Sequence, residues 1–330
     1  MKKVWLFTLL LALSVVMAAC GGAKSAENAG QGNASGTETQ ASTPAETDGE
    51  IVVKHMLGET TVKKNPQKVV VFDYGVLDSL DQLGVEVAGV PQEGVPPYLS
   101  KYNDESKYAN VGGLKEADFE AVNALKPDLI IISGRLQDSY EELSDIAPTI
   151  YMAVDNADYM NSLKGNVTTL GQIFGKEKEA EEAISSIEAS IKALNDKVKA
   201  SGKNALVVLT NEGKLSAYGA GSRFGVIHDV FGFKPADENI EVSTHGQSVS
   251  FEYVMEKNPD YLFVVDRSAV VSGQGEAVPA KQVIENDLVK NTNAFKEGHI
   301  VYLDPNYWYL SGGGLESLQE MIKEVDANVQ

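Results

Sequence analysis

A segment that occurs twice narrows most sharply what this chain can fold into. Phe119–Arg135 reads FEAVNALKPDLIIISGR and Phe251–Arg267 reads FEYVMEKNPDYLFVVDR. The two copies match without a gap in Phe, Glu, Val, Pro, Asp and Arg, and their apolar runs align. Each opens as a short helical pattern, with Asp118 or Ser250 in the capping position. The Pro-Asp pair ends that helix, because proline cannot continue it. The apolar run that follows suits a strand covered on both faces of a parallel sheet. An arginine stands just past the carboxyl end of each strand. Two helix–strand units of this kind predict two similar α/β lobes.

Other apolar runs extend the pattern. VVVF (69–72), LIIIS (129–133), TIYMAV (149–154), LVVLT (206–210), YLFVV (261–265) and IVYL (300–303) read as strands of mostly parallel sheets, with helical patterns between them. IVVKHMLGETTVKK (51–64) reads as a hairpin turning at Leu57-Gly58. Between the two copies of the repeat, Ala180, Ile184, Ile187, Ile191, Leu194 and Val198 recur at three- and four-residue spacing through Lys176–Ala200, a stretch with no Gly or Pro. That predicts one helix of about seven turns. The expected fold is therefore α/β, two similar lobes bridged by a single long α-helix. The expected domains are an N-terminal lobe over 51–170, a linking helix over 171–202 and a C-terminal lobe over 203–330.

What precedes residue 51 reads as a processing signal and a tether. Lys2 and Lys3 precede the apolar run Val4–Met17, which is short for a bilayer span. Ala18-Ala19-Cys20-Gly21 resembles a bacterial lipobox, with Met17 where leucine is usual. Residues 1–19 are thus expected to be a lipoprotein signal peptide and Cys20 the lipidated residue. Cys20 is the only cysteine, which excludes an internal disulfide or a cysteine metal site. Residues 20–50 are rich in small polar residues and contain no aromatic, a composition that cannot bury enough surface to fold. The expected location is the outer face of the cell membrane, held by lipid. A formal charge of -19 argues against nucleic acid or an anionic membrane surface as a main partner.

Of the 28 basic residues only three are arginines, Arg135, Arg223 and Arg267. Arg135 and Arg267 follow equivalent strands, where open α/β sheets bind ligands. Arg223 lies in the glycine-rich AYGAGSRFG, just after a short LSAY run (215–218). Surface arginines in ion pairs contribute little that lysine would not, whereas a guanidinium is a permanent cation with a rigid donor fork. Three in one cleft repel one another unless an anion joins them, so the implied ligand is large and multiply negative. His245 lies in a polar loop, and DPNYWYL (304–310) follows the last strand. Imidazole and phenolate both suit iron(III). By residue type alone a single loop histidine reads more readily as an ordinary solvated side chain, and Tyr307, Trp308 and Tyr309 read equally as core packing.

From residue 51 to 330 the chain resembles the iron-siderophore substrate-binding lipoproteins of Gram-positive bacteria, partners of ABC importers, and in particular the petrobactin-type (catecholate-siderophore) binding proteins. The resemblance implies a class III periplasmic-binding-protein-like fold with a helical backbone. The spacings of 88 from Arg135 to Arg223 and 44 from Arg223 to Arg267 are similar to that branch's arginine trio. By the same resemblance His245 and Tyr307 complete iron coordination when the siderophore leaves sites open, Tyr309 is the next choice, and Trp308 adjoins them. Glu120 and Glu252 are implied to dock the permease, one per lobe; each also suits the first turn of a helix. The resemblance further implies a ferric catecholate siderophore as cargo, no intrinsic cofactor, no catalysis, a permease with its ATPase as partner, and a monomer.

Three other readings fare less well. Capture of a bare metal ion needs several converging ligands, and the four histidines, 55, 228, 245 and 299, include no close pair. A hydroxamate siderophore or haem on the same fold is the runner-up, although neutral hydroxamate complexes would not need three arginines. An exported hydrolase finds no G-x-S-x-G elbow and no HExxH.

Overall fold

The computed structural model describes residues 49–271 and 278–330. The expected signal peptide, Cys20 and nearly all of the tether lie outside the described residues. The chain opens with a hairpin of β1 (Glu50–His55) and β2 (Gly58–Lys63). His55 pairs with Gly58, so the turn is Met56-Leu57, one residue earlier than the sequence suggests.

The first sheet is built from β3 (Val69–Val71), β4 (Gly89–Val90), β5 (Ala109–Asn110), β6 (Leu129–Ile132) and β7 (Thr149–Tyr151), in the order β5-β4-β3-β6-β7 and parallel throughout. Helices α1 (Tyr74–Gln82), α2 (Phe119–Leu125) and α3 (Tyr140–Ser144) connect them. Next come α4 (Tyr159–Phe174) and α5 (Glu177–Ser201). The second sheet has β8 (Asn204–Asn211), β9 (Lys214–Tyr218), β10 (Lys234–Pro235), β11 (Gln247–Val249), β12 (Tyr261–Asp266) and β13 (Ile300–Leu303). Its order is β11-β9-β8-β12-β13, with β10 paired to the start of β8. β9 and β11 are antiparallel to their neighbours, and the others run parallel. The helices around it are α6 (Val226–Asp229), α7 (Phe251–Lys257), α8 (Ser268–Val271), α9 (Ala280–Ile284) and α10 (Asn293–Glu297). The chain closes with α11 (Leu315–Asn328).

The repeat folds alike in both places. Asp118 caps α2 by accepting from Ala121 N–H at 2.9 Å, and Ser250 caps α7 by accepting from Tyr253 N–H at 3.3 Å. Lys126 and Asn258 end those helices in the left-handed region, at φ 50° and 43°. β6 and β12 then bury both faces. Leu129 and Ile131 face one core cluster and Ile130 and Ile132 another. Tyr261, Phe263 and Val265 face the same first cluster, and Leu262 and Val264 a third.

That first cluster joins the lobes. It runs from β3 and β6 through α4, α5 and α11 to β8 and β12. α5 spans the predicted helix nearly to the residue, but residues 171–174 of the expected linker belong to α4. Gly175, at φ 63°, breaks the chain between the two helices. A second crossover was not foreseen. α11 leaves the second sheet and packs on both α5 and α1. The buried Asp78 of α1 receives its first N–H groups, from Glu316 and Ser317, at 2.7 Å each. Gly314 has to be glycine, because a Cβ there would lie 2.4 Å from Asp78 Oδ2.

Candidate functional site

The site grows from the carboxyl edges of the two sheets. In the first sheet the chain leaves β3 toward β4 on one side and β6 lies on the other, which opens a crevice past their ends. Asp73 follows β3. Its Oδ1 caps α1, accepting from Gly75 and Val76 N–H at 2.9 and 3.0 Å. Its Oδ2 accepts from Ser133 Oγ at 2.5 Å and lies 3.8 Å from Arg135 Nη1. In the second sheet Asn211 closes β8, and its Oδ1 accepts from Arg267 Nη1 at 2.7 Å.

Arg223 arrives by another route. Because β9 runs back along β8, Tyr218 lies opposite Val207, well inside the sheet. A tight loop then returns the chain. Ser222 Oγ donates to Gly219 O at 2.5 Å, and Gly221 N–H donates to Asp229 Oδ2 at 2.6 Å. Arg223 thus follows a strand end, but not the end shared by the parallel strands.

All three guanidinium groups finish on one residue, Tyr309. Arg135 Nη2 and Arg223 Nη2 donate to its carbonyl oxygen at 2.8 and 2.6 Å. Arg267 Nε donates to its phenol oxygen at 2.8 Å. The Arg223 guanidinium also lies over the Tyr309 ring, 4.1 Å from the centroid. Tyr309 sits in a wide helical turn, Asn306–Leu310, closed by Ser311 N–H donating to Asn306 O at 3.1 Å. Such turns are rare and gather at functional sites. Glu324 of α11 braces the turn by accepting from Asp304 N–H at 2.9 Å and Trp308 Nε1 at 2.8 Å.

The turn separates its aromatics. Tyr307 stacks at a tilt on Tyr98, with centroids 4.8 Å apart. Trp308 points into the core, is 2% exposed and meets Phe231 edge-on at 6.4 Å. Trp308 therefore supports the turn from behind. His245 is exposed, in a turn closed by Gly246 N–H donating to Ser243 O. Among the described residues it makes no hydrogen bond to the arginine cluster. Glu120 and Glu252 are exposed, each the second residue of its helix, α2 and α7.

Electrostatics distinguish the two tyrosines. Burial raises the Tyr307 phenol above its ordinary value, and nearby carboxylates push the same way. Burial acts likewise on Tyr309, but the hydrogen bond from Arg267 and the charges of Arg223 and Arg267 outweigh it, and the phenol falls below its ordinary value. Burial, then the adjacent charge of Arg135, lowers Arg223. Only one carboxylate answers this charge. Among the described residues Arg135 is the sole arginine of the three with a carboxylate oxygen within 4.0 Å. Asp73, Ser133 and Asn211 were not singled out in the sequence. The signal that marked the arginines, a polar residue ending an apolar run, marks these as well.

Two half-similar lobes, a core that runs through both and donors meeting between them make this a substrate-binding protein of the kind with a rigid helical backbone. The comparisons with known proteins agree. The family model described as periplasmic binding protein matches residues 69–307, and the chain belongs to that family. The petrobactin-binding protein YclQ of Bacillus subtilis strain 168 is 51% identical over 98% of each chain. The ferric-anguibactin-binding protein FatB of Vibrio anguillarum is 34% identical over 87% of this chain and 89% of its own. The crystal structure of YclQ superposes with a TM-score of 0.82, covering 85% of this chain and 99% of that one. The periplasmic catecholate-siderophore binding protein VctP of Vibrio cholerae, 40% identical, gives a TM-score of 0.80 over 84% of this chain and 99% of its own. Among the described residues no helix is long and apolar enough to cross a membrane.

Proposed function

We propose that the chain captures a ferric catecholate-type siderophore, petrobactin-like in charge and donor set, and delivers it to an ABC importer. The observation that carries the reading is the meeting of Arg135, Arg223 and Arg267 on Tyr309. Three permanent cations held this close favour a polyanion, and each charged hydrogen bond to one contributes about 1.5–3 kcal/mol. The names of YclQ and VctP support the same ligand class.

Where the siderophore leaves iron sites open, His245 and a phenol of the 306–310 turn fill them. Tyr309 is the better donor of the two tyrosines, because neighbouring cations ease the loss of its proton. The loaded protein docks on the permease through Glu120 and Glu252, works as a monomer, and is anchored outside the cell membrane by lipid on Cys20.

After removal of residues 1–19, Trp308 is the only tryptophan, and it abuts Tyr309 in sequence. Ferric catecholate complexes are expected to quench its fluorescence saturably, and ferric hydroxamates at equal concentration only weakly. Equal quenching by both would favour a hydroxamate siderophore, or haem, as cargo. Arg223→Ala should weaken catecholate binding about tenfold or more.

A further inference from the structure

The strands beside the two arginines supply different partners, from positions that the register does not align. Beside β6, whose loop bears Arg135, β3 is followed by Asp73, a carboxylate. Beside β12, which leads to Arg267, β8 ends in Asn211, a neutral amide of the same shape. Asp266, the nearest acid in sequence to Arg267, is turned elsewhere. Its Oδ1 accepts from Ala269 N–H at 3.3 Å and its Oδ2 from Ala280 N–H at 3.0 Å. Arg267 is therefore oriented by two neutral groups, the Asn211 amide and the Tyr309 phenol. Before cargo binds, with Tyr309 a neutral phenol, three guanidiniums against the single carboxylate of Asp73 leave two positive charges in surplus.

We propose that Asn211 is a specificity-determining position that sets how much negative charge the site accepts, by aiming the Arg267 guanidinium without neutralising it. Asp73 does the opposite for Arg135, holding its place while cancelling its charge. The inference rests on the reading of the site as a receptor for an anionic ferric complex. It adds that the amide-versus-carboxylate choice at the two strand ends divides the arginines into one that shapes the pocket and one that attracts the cargo. An aspartate at 211 would keep the hydrogen bond to Arg267 Nη1 and strengthen it, so a purely structural role predicts no loss.

The test uses the lipid-free mature chain with two iron probes, the anionic ferric complex of a bis-catecholamide chelator and a neutral ferric trihydroxamate at concentrations that register its weaker binding. Asn211→Asp should weaken the catecholate complex about tenfold, leave the hydroxamate unchanged, flatten the dependence of catecholate affinity on salt, and leave the Tm unchanged or higher. Asp73→Asn, which keeps a competent helix cap, should steepen that salt dependence. An Asn211→Asp protein that binds the catecholate complex as the unaltered protein does would overturn the inference and leave the receptor reading standing. Equal losses for both probes would make Asn211 a mere prop and also overturn it. Failure of the unaltered protein to bind either complex would defeat the receptor reading itself, and this inference with it.

Discussion

Arg135 and Arg267 come from the same residue of a repeated segment, yet they do different work. Arg135 reaches across to the second half of the molecule, bonding the Tyr309 carbonyl at 2.8 Å, with Asp73 behind it. Arg267 stays within its own half, between Asn211 and the Tyr309 phenol. Similar sequence placed both at a strand end. Their partners, which the repeat does not specify, divided the roles. A duplicated unit can thus keep its backbone and diverge in charge through the neighbouring strand, which supplies Asp73 to one arginine and Asn211 to the other from positions that the register does not align.

The strongest way to break this comparison is to remove each arginine in turn. Arg267→Ala should cost about a hundredfold in affinity for a ferric catecholate and Arg135→Ala nearer tenfold, read by fluorescence titration. Stability should rank the other way. Arg135→Ala removes a tie between the halves and strands Asp73, lowering Tm, while Arg267→Ala relieves like-charge repulsion and leaves Tm unchanged or raised. The same order in both measurements would end the distinction.

A smaller effect tests the other tie between halves, Asp78 beneath α11. Burial pushes this carboxyl up to about 7, against the pull of the Glu316 and Ser317 N–H groups. A folded-state value above the unfolded one means that its contribution is present at low pH and is lost as pH rises through 7. Relative to Asp78→Asn, the unaltered protein should lose about 5 °C in Tm between pH 5 and pH 8. A constant difference would show that the carboxyl does not titrate there. Smallest are the caps. Asp118→Ala and Ser250→Ala should each cost about 1 kcal/mol in chemical denaturation, and by similar amounts, because here the two copies remain alike.

Much of this was legible in the sequence because the signals were local. The paired Pro-Asp steps, the apolar runs and the caps Asp118 and Ser250 announced the helix–strand units. β4 and β5, two residues each, are too short to show a period. The break at Gly175 was hidden because the preceding residues continue a helical pattern. α11 and its anchoring on Asp78 depend on a contact between residues 238 and 239 positions apart, which no local pattern reveals. One wide helical turn gives Tyr307 and Tyr309 different neighbours, Tyr98 for the first and the arginines for the second, and residue type alone does not encode that.

The apolar cluster that passes without interruption from the first sheet to the second has one more consequence. A frame welded in this way has little room to clamp shut, so empty and occupied receptors present nearly the same silhouette to a transporter. Vacant copies should then compete with full ones at the importer, and uptake should fall when the receptor greatly outnumbers its cargo.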